Sequence, residues 1–378
     1  MAFNDAQKTA IRHREGPMLV LAGPGSGKTT VITNRVRYLT EKAGVDPSHI
    51  LVITFTRAAA REMKERYAQM TRAGCSRVSF GTFHSVFFLI LKLAYRYQAA
   101  NIVREEQRIQ FIKTLLGRCD LEVEDEGEFI SSILSEISMV KGEMMDLDHY
   151  YAKNCPEEIF KQLYSGYEEQ LRRHRLLDFD DMLVMCHQLF KERKDILSAW
   201  QDKYRYILID EFQDINRIQY EIVKMLALPG NNLFIVGDDQ SIYRFRGARP
   251  EIMLGFERDY PDARRLLLDT NYRSSRQIVE AAGKLIVHNR TRFEKDIKAA
   301  RGPGRPVDIR EWPGPMEESL AIAMELRDYA SMGIAFQDMA VLFRTNMGPR
   351  LLIEKLMEYV DDPAIQNQFL ELKRQSKE

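Results

Sequence analysis

Cysteine is scarce in this sequence: Cys75, Cys119, Cys155 and Cys186 are scattered through 378 residues, and no C-x-x-C pair occurs. That spacing argues against a zinc site or a disulfide framework and fits buried or incidental thiols in a reducing compartment. Neither sign of charge is in excess, since 55 Lys+Arg balance 55 Asp+Glu. Any nucleic-acid surface must then be a local groove and not a wholly basic domain. No apolar run approaches membrane-spanning length, so no membrane partner is expected. The first residues, Met1-Ala2-Phe3-Asn4-Asp5, lack the basic-then-apolar pattern of a secretory leader, which makes the cytoplasm the expected location. Internal repeats are also missing. With 45% hydrophobic and 29% charged residues, the composition is that of a globular chain long enough for two or three domains.

Against that plain background one stretch stands out, Ala22-Gly23-Pro24-Gly25-Ser26-Gly27-Lys28-Thr29-Thr30. It follows the apolar run Met18-Leu19-Val20-Leu21 and leads into Val31-Ile32-Thr33-Asn34-Arg35-Val36. Strand, glycine-rich loop and helix in that order are what a phosphate-binding loop requires. Small residues let backbone N–H groups curl towards phosphate oxygens beside the positive end of a helix. Lys28 is then placed for the β- and γ-phosphates, and the Thr29 hydroxyl for Mg²⁺. The usual first glycine of the pattern is Ala22.

Strand candidates follow at Ile50–Thr54 and Arg77–Phe80, each followed by a helical pattern, with a short helix over Asn4–Arg14 carrying Gln7. Alternation of this kind predicts a doubly wound parallel α/β sheet, with ligand-contacting residues just beyond the strand C-termini. From about Leu93 to Trp200 strand signals vanish, and helical periodicity runs over Glu105–Leu116, Glu128–Val140, Glu157–His174 and Asp180–Arg193. That reads as an all-helical insertion. The α/β pattern resumes with Tyr206–Asp210, Asn232–Gly237 and Arg265–Asp269, then a helix over Ser275–Asn289. Beyond the linker Arg301–Pro306, the expectations are a strand at Val307–Trp312, a helix at Glu317–Tyr329, a strand at Met339–Phe343 and an amphipathic stretch at Pro349–Tyr359.

Ile209-Asp210-Glu211-Phe212-Gln213-Asp214 places an acidic pair at the end of a buried-type strand. Asp210 fits a direct or outer-sphere Mg²⁺ carboxylate, and Glu211 a base that orients and deprotonates the attacking water. Gln213 and Asp214 are placed to face neighbouring loops. After the next strand, Gln240 is positioned to sense a γ-phosphate. Tyr243, Phe245 and Arg246 interleave aromatic and cationic side chains, which suits stacking on unpaired bases. In Asn271-Tyr272-Arg273-Ser274, Arg273 fits an arginine finger and Tyr272 a stacking platform for a base.

Together these pieces resemble a superfamily I DNA helicase of the UvrD/Rep/PcrA type. The matching segments are Phe3–Gln7, Ala22–Thr29, Ile53–Ala59, Gly81–Ser85, Asp178–Met182, Asp210–Asp214, Gly237–Ala248, Asn271–Ser274 and Val341–Asn346, in family order. The alanine at the start of the phosphate loop is itself usual in that group. The resemblance implies ATP and Mg²⁺ as cofactors, with Gln7 on the adenine edge and Arg35 and Tyr272 on its faces. It implies Lys28, Thr29, Asp210, Glu211, Gln240 and Arg273 as the catalytic set, within a cofactor-binding loop spanning Ala22 to Thr30. Phe55, Thr56, His84, Tyr243, Phe245 and Arg246 would line a single-stranded DNA track, with Phe245 standing where the family usually has Trp.

The implied architecture is a RecA-like motor domain (1–92 and 201–276) interrupted by the helical insertion (93–200). A partial second RecA-like domain (277–360) and a tail (361–378) follow. The resemblance implies ATP-dependent 3′→5′ movement on single-stranded DNA and duplex junctions, with accessory repair or replication proteins as further partners. The family's later motifs, among them a second arginine finger, have no match after Asn346, so a C-terminally truncated relative is the expectation. A competing reading is a non-motor fragment that binds ATP and DNA with little hydrolysis, because a missing arginine finger costs about 10³–10⁵ in rate.

Overall fold

The computed structural model describes residues 3–71, 77–119, 121, 123–227, 232–238, 241, 247–290, 292–343 and 349–359. It divides into two compact units, Met1–Arg305 and Pro306–Glu378.

The first unit opens with helix α1 (Asp5–Arg12) and strand β1 (Met18–Ala22), followed by α2 (Lys28–Glu41), β2 (Ile50–Thr54), α3 (Arg57–Met70), β3 (Ser79–Thr82) and α4 (Phe83–Tyr95). Three of these helices start at a side-chain cap. Asn4 caps α1 by accepting from Gln7 N at 2.8 Å, while Asn4 N donates back to Gln7 Oε1 at 3.2 Å. Thr56 caps α3 and Thr82 caps α4, accepting from Ala59 N at 3.1 Å and Ser85 N at 3.3 Å. Such caps satisfy backbone donors that the first helical turn leaves unpaired. Four helices follow that have no strand between them: α5 (Glu105–Leu116), α6 (Glu126–Gly142), α7 (Glu157–Arg173) and α8 (Phe179–Glu192). After α9 (Lys194–Lys203) the α/β order returns with β4 (Tyr206–Ile209), α10 (Arg217–Leu226) and β5 (Asn232–Gly237). Then come α11 (Pro250–Leu254), α12 (Phe256–Asp259), β6 (Arg264–Leu268), β7 (Thr270–Asn271), α13 (Arg276–Ile286) and β8 (Lys298–Ala299).

Six of the strands make one parallel sheet in the order β3-β2-β4-β5-β1-β6, and β7 and β8 make a separate parallel pair. Strands β1, β2 and β5 are buried along their whole length, as a sheet covered on both faces demands. Alternate residues divide between those faces. Leu19, Leu21, Leu51, Ile53, Ile207, Ile209, Leu233 and Ile235 pack with α4, α8, α9 and α10. Met18, Val20, Ala22, Ile50, Val52, Leu208, Phe234 and Val236 pack with α1, α2 and α3. A third core belongs to α5, α6 and α7, built on residues such as Ile112, Ile133, Ile137, Phe160 and Leu163. The helical run is therefore of two kinds: α5–α7 have a core of their own, while α8 and α9 share the core of the sheet.

In the second unit, α14 (Pro315–Ser331) and α15 (Pro349–Tyr359) share a small core of Ala323, Leu352 and Leu356. The strands expected at Val307–Trp312 and Met339–Phe343 do not form. Ile309 and Leu342 are 87% and 93% exposed. Among the described residues of this unit there is no strand to supply a ladder, and an apolar run without one has nothing to pair with. Among the described residues no helix is long and apolar enough to cross a membrane.

Candidate nucleotide site

The loop between β1 and α2 has the conformation that its glycines anticipate. Gly25 and Gly27 have φ of 68° and 85°, a region that costs other residues strain. Space matters as much, since a Cβ on Gly25 would lie 2.7 Å from Arg273 Cβ and 2.8 Å from Asn271 Oδ1. A Cβ on Gly23 would lie 2.7 Å from Ile297 Cδ1. The loop is thus gripped by segments near residues 271 and 297, far away in the chain. Pro24 is exposed, Ser26 is buried with its Oγ unpartnered, and Lys28, Thr29 and Thr30 open α2 half-buried.

Opposite, β4 ends at Ile209 and delivers Asp210 and Glu211. Lys28 Nζ donates to Glu211 Oε2 at 2.7 Å. Glu211 itself is in the left-handed region, φ 51°, a conformation that costs a non-glycine residue some strain. Asp210 is 5% exposed, and its Oδ1 has no hydrogen-bond partner. Burial, helped by the neighbouring Glu211 charge and opposed by Lys28, pushes its carboxyl up to about 7. A buried oxygen without a partner, facing a phosphate loop, fits a divalent cation shared with the Thr29 hydroxyl and nucleotide oxygens. Among the described residues no group of three or more His, Cys, Asp and Glu could hold a metal without such help.

The sequence-predicted adenine residues divide. Gln7 Nε2 donates to Ser26 O at 3.0 Å, and Tyr272 N donates to Gly25 O at 2.9 Å. The Tyr272 hydroxyl accepts from Asn4 Nδ2 at 2.9 Å, so the start of α1 and residue 272 meet over the loop. Arg273 is exposed beside them. Arg35 does not belong to this group, which corrects the expectation that it lies on an adenine face. It is fully buried. Its guanidinium stacks over the Phe234 ring at 4.3 Å and donates to the carbonyls of Ala10 and His13. Burial lowers its pKa to about 9. It pins α1 and α2 against β5 and offers no surface to a base.

Of the expected strand-track residues, Phe55 and Thr56 follow β2 and His84 follows β3, strands paired at Thr54 and Thr82. They therefore share one edge of the sheet, away from β1. His84 meets Phe179 edge-on at 5.4 Å, and burial lowers its pKa. Phe179 is 46% exposed, an aromatic that sequence reading did not single out. Gln240, Tyr243, Phe245 and Arg246 lie outside the described residues, as do Cys75, Arg344–Asn346 and Val360–Glu378.

Three contributors escaped sequence reading. Asn271 is buried, and its Oδ1 accepts from Arg273 N and Ser274 N, both at 2.8 Å, setting the backbone from which Arg273 projects. Lys295 makes a buried ion pair with Asp238 at the end of β5. Ile297 packs against Gly23. Only Asn271 sat inside a recognisable motif.

Residues 3–261 match the family model of the UvrD/REP helicase N-terminal domain, and residues 266–368 that of the UvrD-like helicase C-terminal domain. The chain is 38% identical, over 97% of its length, to half of the putative ATP-dependent DNA helicase YjcD of Bacillus subtilis. It is 36% identical, over 94% of its length, to half of the ATP-dependent DNA helicase PcrA of Staphylococcus aureus. The probable DNA helicase II homolog of Mycoplasma capricolum is 34% identical, over 91% of this chain and 49% of that protein. The chain thus spans about half the length of the curated relatives it matches.

Proposed function

The chain belongs to the UvrD/REP helicase family, and from that premise we propose that it is an ATP-dependent motor acting 3′→5′ on single-stranded DNA and at duplex junctions. The observation that carries the nucleotide half of this reading is the convergence of Lys28, Glu211 and the unpartnered Asp210 at the C-terminal edge of one parallel sheet. In the proposed mechanism, backbone N–H groups of Gly25–Thr29 cradle the phosphates and Lys28 leaves Glu211 to neutralise them. Glu211 accepts the proton of the attacking water. Arg273 and Gln240 face the transferred phosphoryl group, while Gln7 and Tyr272 hold the adenine. Thr29 and Asp210 would hold Mg²⁺, which supplies charge neutralisation at the phosphate oxygens.

Phe55, Thr56 and His84 form the described part of the proposed strand track, continued by Tyr243, Phe245 and Arg246. The proposed domains are a RecA-like body from 1–92 and 201–276, the insertion 93–200, and a partial second RecA-like body over 277–360. Accessory repair or replication proteins and a cytoplasmic location belong to the same reading.

A second reading is a body that binds ATP and DNA but hydrolyses little by itself. It is favoured by the described residues of 306–359, which hold two helices and no strand. Steady-state ATP turnover with and without a single-stranded oligonucleotide separates the two. DNA-stimulated turnover that disappears in Lys28→Ala and Glu211→Gln supports the motor. Nucleotide binding without stimulated turnover removes that reading for this chain and leaves the second.

A further inference from the structure

The short 3-10 turn after the acidic pair, Phe212–Asp214, buries an amide whose role the nucleotide reading leaves unassigned. Gln213 is 4% exposed, and both ends of its side chain are engaged. Its Nε2 donates to Glu211 Oε2 at 2.8 Å and to Asp214 Oδ2 at 3.1 Å. Its Oε1 accepts from Asp238 N at 3.0 Å, immediately beyond β5. Asp214 Oδ1 in turn accepts from Ser241 Oγ at 2.7 Å. The neighbouring strand makes room for the amide, because a Cβ on Gly237 would sit 2.6 Å from Gln213 Oε1.

We propose that Gln213 is a positioning residue that fixes the Glu211 carboxylate and couples it to the segment leaving β5. The inference rests on the assignment of Glu211 as the base in the proposed function. Lys28 and Gln213 both donate to Glu211 Oε2. Phosphate draws Lys28 away, whereas the amide stays, because it is buried and tied at its far end to the backbone of Asp238. A neutral donor holds a carboxylate in direction without placing a full positive charge on it, which preserves its ability to take a proton. Orientation of that kind is worth most where a group must meet a water within hydrogen-bond reach.

The other end of the amide gives the arrangement its second property. Asp238 and Ser241, the residues held by Gln213 and Asp214, flank the start of the segment that carries Gln240 and the aromatic–cationic run to Arg246. Through one buried side chain the Glu211 carboxylate is thereby tied to the backbone just beyond β5. Both contacts run through the sheet's own strand ends, β4 and β5, which are parallel neighbours.

The test uses the full chain with Mg²⁺ and ATP, with and without a single-stranded oligonucleotide. It compares Gln213→Leu, which loses both the donor to Glu211 and the acceptor for Asp238 N–H, with Gln213→Glu, whose carboxyl, buried against Glu211 and Asp214, takes a proton and keeps both contacts. Gln213→Leu should lower kcat at least about tenfold with KM for ATP within about twofold, the pattern of an interaction used in the transition state, while Gln213→Glu should keep kcat closer to that of the unmodified chain. Amide exchange of Asp238 should accelerate at least about tenfold in Gln213→Leu alone, since only that variant frees the N–H. Wild-type kcat in Gln213→Leu overturns the positioning of Glu211, and unaccelerated Asp238 exchange in the same variant overturns the coupling. If the unmodified chain binds ATP without turnover, the functional reading has failed, and the exchange arm still decides. Mg²⁺ and ATP should then change Asp238 exchange in the unmodified chain and not in Gln213→Leu, while the same response in both sinks the proposal. Should Gln213→Leu not fold, Gln213→Asn, which retracts both arms by one carbon, replaces it in every comparison.

Discussion

Lys28 Nζ lies 2.7 Å from Glu211 Oε2, so the lysine proposed for the phosphates and the carboxylate proposed for the water hold each other. The two side chains are 18% and 35% exposed, and a partly solvated pair of this kind contributes no more than about 1 kcal/mol. In the proposed mechanism, bound nucleotide breaks it. Glu211→Gln removes the competitor for the lysine charge and should tighten ATP binding about twofold to fivefold. The same change should lower turnover by about 10²–10⁴. Lys28→Ala should weaken both. Titration with a fluorescent ATP analogue, beside single-turnover hydrolysis, checks the pair; weaker nucleotide binding in Glu211→Gln would contradict the competition.

Arg35 acts in packing and not on the base. Replacing it with Leu leaves the carbonyls of Ala10 and His13 without their donor, at a cost of about 1–3 kcal/mol in unfolding free energy, offset in part because Leu also removes the buried Nε and Nη2, which have no partner. Because the guanidinium lies over Phe234 beneath the sheet surface, ATP affinity of the folded protein should stay within about twofold. Urea unfolding and nucleotide titration separate the two effects. A large loss of affinity with unchanged stability would return Arg35 to the base.

Asn4 joins a structural duty to one at the site. Its Oδ1 caps α1, and its Nδ2 donates to the Tyr272 hydroxyl. Asn4→Ala should cost about 0.5–2 kcal/mol of stability through the lost cap, and should also loosen Tyr272. Asn4→Ser restores a capping oxygen but falls short of Tyr272, so stability should recover while ATP affinity remains at the alanine level. Equal recovery of both in Asn4→Ser would show that the tyrosine contact contributes nothing to binding.

What the sequence made legible follows from which interactions are local. Buried parallel strands read as continuous apolar runs, so Met18–Ala22 and Asn232–Gly237 announce themselves. The phosphate loop does too, because its glycines are demanded by backbone conformation at the positions where they stand. Arg35 was not legible. It lies seven residues beyond Lys28, roughly 10 Å down the helix, and only the packing of α1 and β5 decides what it faces. Lys295 and Asp238 are 57 residues apart, and nothing in either stretch signals that they pair. Val307–Trp312 and Met339–Phe343 have strand-like composition, yet strand structure depends on a neighbour that the described residues of that unit do not supply. Gln213 stood inside a motif, but its two-ended engagement exists only once β4 and β5 lie side by side.

The insertion yields a prediction about pH. Lys141, 3% exposed on α6, lies 2.9 Å from Asp178, 2.6 Å from Asp181 and 2.6 Å from Glu168. Lys141→Met would strand three carboxylates, and breaking a buried pair in this way costs about 3–5 kcal/mol. The carboxylates do not titrate alike. Burial, with the Asp178 charge beside it, raises Asp181 to about 7 and Asp180 to about 6. Burial also acts on Asp178, but Lys141 and the Asp181 N–H outweigh it and lower its pKa. A carboxyl raised in the folded state takes up protons on folding, so its contribution is full below the unfolded value and is lost as pH climbs through the folded one. Asp180 and Asp181 should therefore make the insertion less stable as pH rises from about 4 to about 7. Asp178 works in the opposite sense, and its contribution is lost only below about pH 4. Amide exchange in α6 and α8 across that range reads the slope, which should shrink in Asp181→Asn because no proton is then gained at that site. An unchanged slope in Asp181→Asn would place the pH dependence outside this cluster.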